Sequence, residues 1–274
     1  MVATKSFAYD IAVENEDGVT IYYSYINDGK ELAVVQPTND VIYRIPPSVM
    51  VDGIELPVTR IDDKAFRNSN VAILELPEGI KSIGESAFYG CSLLKTIKIP
   101  NSVEGKIADF CFSGCGTLTS IQIGENITEI GKYAFLDCKK LEKMILPDKV
   151  ATIGDKAFSG CSSLTTISFG SGISSISGDG PFYNCPSLEK IIIRDLSAWC
   201  RVTNGSDNPV QNRYIYSDED TQIKDLIIPN DVTCIAECAF LSCNSIETIT
   251  VPNSVQIIDK ELLLNYLNVC GLMT

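Results

Sequence analysis

Hydrophobic residues recur in the same order about every 23 residues along this chain. Each copy contains one phenylalanine that marks the period, and the seven residues are Phe66, Phe88, Phe112, Phe135, Phe158, Phe182 and Phe240. A fixed period of this length is typical of solenoids, in which each repeat is one coil that buries its apolar face against its neighbours. The pattern therefore predicts a solenoid of stacked coils.

Two short strands and one turn make up each predicted coil. The first strand has the pattern L-x-x-I-x-I, as in Leu141, Met144 and Leu146, and its last residues alternate between core and solvent. A proline often follows, which ends the strand because proline has no N–H for the ladder. The second strand has the pattern V-x-x-I, as in Val150 and Ile153. An Ala-Phe pair follows, which we expect on a single helical turn with both side chains buried.

The N-terminal residues lie outside the period and favour a β-hairpin. Two β-favouring runs, Ile21–Ile26 and Glu31–Val35, flank a turn-rich tetrapeptide that begins at Asn27. A further strand is expected at Val41–Ile45. We assign residues 1–43 to an N-terminal β cap, because the first coil of a solenoid would otherwise expose its apolar end and an unpaired strand edge.

The rest of the chain, residues 44–274, is assigned to the solenoid. Near its end the apolar segment Glu261–Leu267 replaces the Ala-Phe turn. This change predicts a C-terminal cap over about residues 259–274.

The period is interrupted once, between Phe182 and Phe240. These residues are 58 positions apart, so one copy is about 35 residues longer than the others, and we place the insertion at about residues 194–222. It contains the only tryptophan, Trp199, together with Tyr214 and Tyr216. Insertions in solenoids often form the binding face. The alternative is a flap whose aromatic side chains cover the edge of the core.

Composition excludes several classes of function. The net charge of −13 disfavours nucleic acid and anionic membranes as partners. No apolar run is long enough for a membrane helix, and the first residues lack the apolar core of a signal peptide. The chain has no histidine, which removes histidine-based catalytic triads and histidine-ligated metal sites. We therefore predict no catalytic residues, no cofactor, no metal and no membrane insertion, and an enzyme that works through carboxylates or lysine stays open as the alternative.

Six of the eleven cysteines lie three residues after a repeat phenylalanine: Cys91, Cys115, Cys138, Cys161, Cys185 and Cys243. One cysteine per coil at one position predicts a column of buried free thiols, since free cysteine behaves as a small hydrophobic residue. Disulfides between neighbouring coils, or a metal, are the alternatives. The group Cys234, Cys238 and Cys243 does not have the spacing of a zinc site.

The outward positions of the first strand supply candidate partner-binding residues. The middle residue of each strand should face solvent, which predicts an apolar strip of Ile145, Ile192 and Ile227 near the insertion. The alternative is that β-branched residues simply favour strands. Lys143 and Lys190 lie two positions earlier on the same face. The full candidate set is Lys143, Ile145, Lys190, Ile192, Trp199, Tyr214, Tyr216 and Ile227.

The repeat itself resembles a known family. Residues 130–147 and 153–170 both follow the pattern I-G-x-x-A-F-x-x-C-x-x-L, and the copies resemble the BspA-like leucine-rich repeats of bacterial, Bacteroides-type cell-surface proteins. The resemblance implies a β-rich α/β solenoid, wound as a right-handed leucine-rich-repeat superhelix of about 23-residue repeats.

The same resemblance implies a function. It implies an extracellular or cell-surface protein that is not an enzyme and that binds a protein of the host matrix or host surface. We expect a monomer. Two alternatives remain open: a structural spacer, and a carbohydrate-binding protein or carboxylate-based enzyme that uses Trp199 in the insertion as a sugar platform.

Overall fold

The computed structural model describes residues 9–37, 40–176, 179–204, 209–237 and 239–258. Over these ranges the chain is a β-solenoid whose short parallel strands stack into columns, so the predicted repeat architecture is confirmed. Helix is limited, within these ranges, to one four-residue turn, α1 (Leu196–Trp199). None of the described helical structure has the length and apolar character of a membrane span.

Six strands form the N-terminal part of the structure: β1 (Ile11–Glu14), β2 (Thr20–Ile26), β3 (Glu31–Pro37), β4 (Ile42–Arg44), β5 (Ser48–Val51) and β6 (Ile54–Ile61). Strands β2 and β3 are antiparallel, which confirms the predicted hairpin. Asn27 and Asp28 in its turn have φ of 50° and 56°, values that Asn and Asp tolerate better than most residues. Strand β3 also pairs in parallel with β6, so the hairpin continues the sheet of the solenoid. The division at residue 43 stays a prediction.

The first strands of the coils form one column, which begins at β4. Where these strands are hydrogen-bonded they are parallel and in register, so equivalent residues of neighbouring coils lie side by side. The other members are β7 (Ile73–Glu75), β9 (Thr96–Lys98), β11 (Ser120–Gln122), β13 (Lys143–Ile145), β15 (Thr166–Phe169), β17 (Lys190–Ile193), β19 (Tyr214–Tyr216), β20 (Asp225–Ile227) and β22 (Thr248–Thr250).

The second strands form another column, which continues from β6. Its members are β8 (Ser82–Ile83), β10 (Gly105–Ile107), β12 (Ile127–Ile130), β14 (Thr152–Ile153), β16 (Ser175–Ile176), β18 (Thr203–Asn204), β21 (Cys234–Ile235) and β23 (Ile257–Ile258). The apolar residues of both columns face each other in one continuous core. Each coil therefore buries two strand faces, as the hydrophobic pattern requires.

The Ala-Phe segment is not the predicted helical turn. Its alternate N–H groups point to different partners: Phe112 donates to the carbonyl of Ala134 in the next coil at 2.8 Å, whereas Cys111 donates to Ala108 within its own coil at 3.2 Å. Residues two before and two after the phenylalanine have left-handed backbone, as at Phe110 (φ 56°) and Gly114 (φ 75°). The segment is thus a third column of hydrogen bonds between coils.

The core of this third column is aromatic and thiol-rich. The rings of Phe88, Phe112, Phe135, Phe158 and Phe182 stack at centroid separations of 5.2–5.5 Å. Each column cysteine of these coils donates its thiol to the carbonyl of the repeat phenylalanine one coil earlier, as Cys138 does to Phe112 at 3.2 Å. All nine described cysteines are free, which confirms the buried thiol column and rejects the disulfide alternative for them.

Two predictions fall outside the described residues. The C-terminal cap at residues 259–274 lies there entirely. Cys238, one member of the proposed Cys234–Cys238–Cys243 group, lies there as well.

Candidate functional site

The insertion is built into the solenoid rather than looped out from it. It provides α1, then β18 in the second-strand column and β19 in the first-strand column. Asp195 begins α1 and accepts the backbone N–H of Ala198 at 2.9 Å, which is a standard helix N-cap. The insertion therefore adds most of one further coil, with its own core residues Val202, Val210 and Ile215.

Trp199 belongs to that core. Its side chain is fully buried, its indole N–H donates to the carbonyl of Ala239 at 2.8 Å, and its ring lies 5.0 Å from that of Phe169. A buried indole cannot contact a partner or carry a sugar. Its place among the candidate binding residues is therefore corrected, and the sugar-platform alternative loses its main residue.

The strand register brings six of the eight candidate residues onto strands of one sheet face. We call the outward side chains of β13, β15, β17 and β19 the insertion face. One row across it, in register, is Lys143, Thr166, Lys190 and Tyr214. The next row is Ile145, Ser168, Ile192 and Tyr216. Residues that are 73 positions apart in sequence, such as Lys143 and Tyr216, therefore lie on the same face.

A loop formed by residues 217–222 reaches back over this face. Strand β19 ends in an antiparallel bridge between Tyr216 and Gln222. Within the loop, the Asp218 carboxylate accepts the backbone N–H groups of Asp220 at 2.9 Å and Thr221 at 2.8 Å, and these bonds lower its pKa. Glu219 forms an ion pair with Lys143 on β13. Because β15 and β17 lie between β13 and β19, this ion pair spans both strands.

The predicted apolar strip is corrected by the exposed fractions of its side chains. Ile192 is only 2% exposed, and Ser168 beside it is also buried. On the side away from the lysines, the Arg194 guanidinium donates to the carbonyls of Phe169 and Leu146 and so covers the same strands. Ile145 at 50% and Ile227 at 63% are exposed as predicted, but Ile192 does not join them into a strip.

The accessible part of the insertion face combines a cation with aromatic rings. The ammonium of Lys190 lies 4.3 Å from the centroid of the Tyr216 ring, and Tyr214 is 41% exposed. An open cavity of about 390 Å³ lies here, lined by Thr166, Glu189, Lys190, Tyr214, Tyr216 and Gln222. The surface therefore offers an ammonium, carboxyl and amide groups and ring faces within one depression.

Three residues of this site were missed by the sequence reasoning: Glu189, Glu219 and Gln222. The acidic run at residues 218–220 was visible, and two lysines at equivalent strand positions were visible too. Their pairing depends on how far the loop folds back, which the repeat pattern does not encode.

The groups on the insertion face are suited to binding a partner. No group of three potential metal ligands occurs within the residues that the structure describes. Burial raises the pKa of Cys138 and of Cys200, the latter to about 12, so these two thiols are poor nucleophiles. What the face presents is a set of hydrogen-bonding, cationic and aromatic groups on rigid strands.

Comparison with known proteins finds repeats of the same type. The model of the BspA type leucine rich repeat region matches in six copies, over residues 59–189 and 212–270. No curated protein matches the chain.

Two solved structures are similar in fold. A leucine rich repeat protein of T. pallidum has 24% sequence identity and a TM-score of 0.55, with 67% of this chain and 88% of that one covered. A leucine rich cell surface protein from Faecalibacterium prausnitzii has 23% identity and a TM-score of 0.59, with 92% and 73% covered. At these identities the likeness concerns the fold alone.

Proposed function

The chain belongs to the BspA-type leucine-rich repeat family, and on that basis we propose that it is a non-enzymatic protein-binding module displayed at a cell surface. Its ligand is a protein of the host matrix or host cell surface, and the insertion face is the contact surface. The cell-surface location is supported by the relative from Faecalibacterium prausnitzii, which is described as a cell surface protein.

The observation that carries the proposal is the composition of the insertion face. Tyrosine is enriched at protein interfaces because it offers a large ring with few rotatable bonds and a polar end. Here Tyr214 is 41% exposed, and Tyr216 is held under the Lys190 ammonium. Ile145 is exposed at the β13 edge of the same face. Such a set of anchors on rigid strands loses little conformational entropy on binding.

The proposal is tested by immobilising the protein and measuring saturable binding of purified matrix proteins and host cell-surface glycoproteins. A Lys190→Ala/Tyr214→Ser double variant should lose at least about tenfold in affinity for any ligand found, since interface anchors of this kind each contribute about 1–2 kcal/mol or more. Deleting the insertion would be uninformative, because its residues form part of the core.

A matched control comes from the same chain. Ile73 and Tyr183 are exposed side chains elsewhere on the solenoid, so an Ile73→Ser/Tyr183→Ser variant removes a similar exposed area. This control should bind as the wild type does. An equal loss of affinity in both variants would mean that the contact surface is not the insertion face. Absence of saturable binding to any protein tested would favour the structural-spacer alternative.

A further inference from the structure

A second cavity lies at the other end of the molecule, outside the insertion face. It has a volume of about 430 Å³ and is enclosed between the turn that follows β1 and the segment from Arg44 to Met50. We call it the N-terminal cavity. Its apolar lining comes from Val13, Ile45, Pro46, Pro47, Val49 and Met50. A volume of this size with mostly apolar walls is typical of small-molecule sites.

The two walls of the N-terminal cavity are fixed to each other. The Asn15 amide donates to the backbone carbonyl of Arg44 at 3.2 Å, and the Asn15 side-chain oxygen accepts the N–H groups of Asp17 and Val19, each at 3.0 Å. The Arg44 guanidinium forms ion pairs with both Asp17 and Glu75. The cavity is therefore preformed, and the charge of Arg44 is already matched.

Tyr23 lines the cavity, and its hydroxyl has no partner among the described residues. Its side chain is 1% exposed, and no hydrogen bond to its phenolic oxygen is present within the described part of the chain. Within the described residues the buried side-chain polar atom without a partner is Ser254 Oγ, so the Tyr23 hydroxyl is reached by solvent from the cavity, and a ligand would replace that solvent with its own hydrogen bond. Burial also raises the pKa of the Tyr23 phenol, so the group stays protonated and can both donate and accept. The cavity is the space from which a partner can reach it.

The charge at the cavity mouth is negative. Glu14, Glu16 and Asp17 contribute three carboxylates against the single guanidinium of Arg44. Asp17 is paired with Arg44, whereas Glu14 and Glu16 have no ion pair among the residues described. A cation at the mouth would therefore be attracted, and an anion would be repelled.

We propose that the N-terminal cavity binds a small organic amine, an alkyl- or arylammonium ion. Its apolar part lies against Ile45, Pro46 and Val49, its ammonium faces Glu14 and Glu16, and a polar atom of the ligand or a water that it carries pairs with the Tyr23 hydroxyl. This site is independent of the protein-binding function proposed above.

The test is a titration of the whole protein with tyramine, whose ammonium can face Glu14 and Glu16 while its phenol reaches the Tyr23 hydroxyl, followed by calorimetry and by ligand-observed NMR. Two probes of matched shape, 2-(4-hydroxyphenyl)ethanol and 3-(4-hydroxyphenyl)propionate, serve as the neutral and anionic comparisons. We expect the amine to bind more tightly than the alcohol and the carboxylate not to bind. Higher salt should weaken binding of the amine, because part of its affinity is electrostatic.

Two substitutions locate the site. Tyr23→Phe should weaken binding of the amine about three- to tenfold, the usual range for one hydrogen bond, and should leave the melting temperature nearly unchanged, because the hydroxyl has no protein partner among the described residues. Glu14→Gln should weaken binding of the amine and leave binding of the alcohol unchanged. The matched control is Tyr25→Phe, a partly exposed tyrosine of the same strand that does not line the cavity.

Three results would overturn the proposal. They are the absence of amine binding, binding that is unchanged in Tyr23→Phe, and tighter binding of the carboxylate than of the amine. Amine binding that appears only after removal of residues 1–8 would instead assign the cavity to the N-terminal segment of the chain itself, against a small-molecule site.

Discussion

Ile145 and Ile192 occupy the same position in repeats that are two coils apart, yet one is a surface residue and the other is buried. Both are the middle residue of the first strand, and the repeat pattern treats them alike. Ile145 is 50% exposed, whereas Ile192 is 2% exposed and lies in register between Ser168 and Tyr216, with the Arg194 guanidinium bonded across the same strands. The burial of an outward strand residue is thus decided by the side chains around it, and this information is absent from the repeat.

The two isoleucines should respond differently to the same substitution. Ile192→Ser should lower the free energy of unfolding by about 2–4 kcal/mol, because it removes buried methyl groups and leaves a hydroxyl in their place. Ile145→Ser should change it by less than about 0.5 kcal/mol, the usual effect at exposed sites. Urea denaturation of both variants checks this. An equal loss of unfolding free energy in the two variants would contradict the burial of Ile192.

The thiol column makes the stability of the protein sensitive to alkaline pH. Burial raises the pKa of Cys138 and of Cys161 in the folded state above the value of about 8.5 in an unfolded chain. The unfolded state therefore loses these protons first. The stabilisation is complete below about pH 8.5 and is lost as the pH rises toward the folded-state pKa.

We accordingly expect the urea concentration at the midpoint of unfolding to decrease as the pH is raised from 7 to 9.5. Iodoacetamide at pH 8 should modify the partly exposed Cys234 in the folded protein and leave Cys138 and Cys161 unmodified until urea is added. Site-resolved mass spectrometry measures this. Rapid labelling of Cys138 in the folded protein would contradict the buried column.

At the scale of elements, the segment around each repeat phenylalanine is held by hydrogen bonds between coils, where a helical turn would have hydrogen bonds within the coil. Two residues per coil need left-handed backbone, and this need explains residue choices that helix propensity does not. The position two after the phenylalanine is Gly90, Gly114 or Gly160 in three coils and Asn or Asp in three others, Asn68, Asp137 and Asn184. These residue types tolerate positive φ best.

A pair of glycines two residues apart tests this geometry. Gly114 has φ of +75°, and a Cβ there would meet no atom closer than 3.6 Å, so Gly114→Ala should cost about 1–2 kcal/mol from backbone strain alone. Gly116 has no left-handed φ, and a Cβ there would meet no atom within 4 Å, so Gly116→Ala should be close to neutral. Gly114→Asn should cost less than Gly114→Ala. Thermal denaturation of the three variants distinguishes them.

The strands, the hairpin and the thiol column could all be predicted, because each depends on local alternation or on a strict period. The helical turn was predicted wrongly because a buried phenylalanine preceded by a small residue, Ala in most coils, fits a helix and the observed turn equally well. At the insertion, the sequence indicated where the period breaks and which aromatic residues it contains. It did not indicate that Trp199 enters the core or that the loop at residues 217–222 folds back to Lys143, since both depend on contacts between distant residues.

For the molecule as a whole, the register of the strand column decides where a partner can bind. Parallel in-register pairing places Lys143, Lys190, Tyr214 and Tyr216 on one rigid face, although they come from two coils and the insertion. This face carries exposed rings and cations on a chain whose net charge is −13. The same rigidity separates it from the N-terminal cavity, so the two proposed sites can be tested independently.

The central claim is that a protein ligand contacts the insertion face, and amide hydrogen exchange of the wild-type complex tests it most directly. With a saturating ligand from the binding screen, we predict added protection in β13, β17, β19 and the loop at residues 217–222. The exchange of β7 and β9, on the same column toward the N-terminus, should be unchanged. Protection confined to β7 and β9, or spread equally along the column, would contradict the claim.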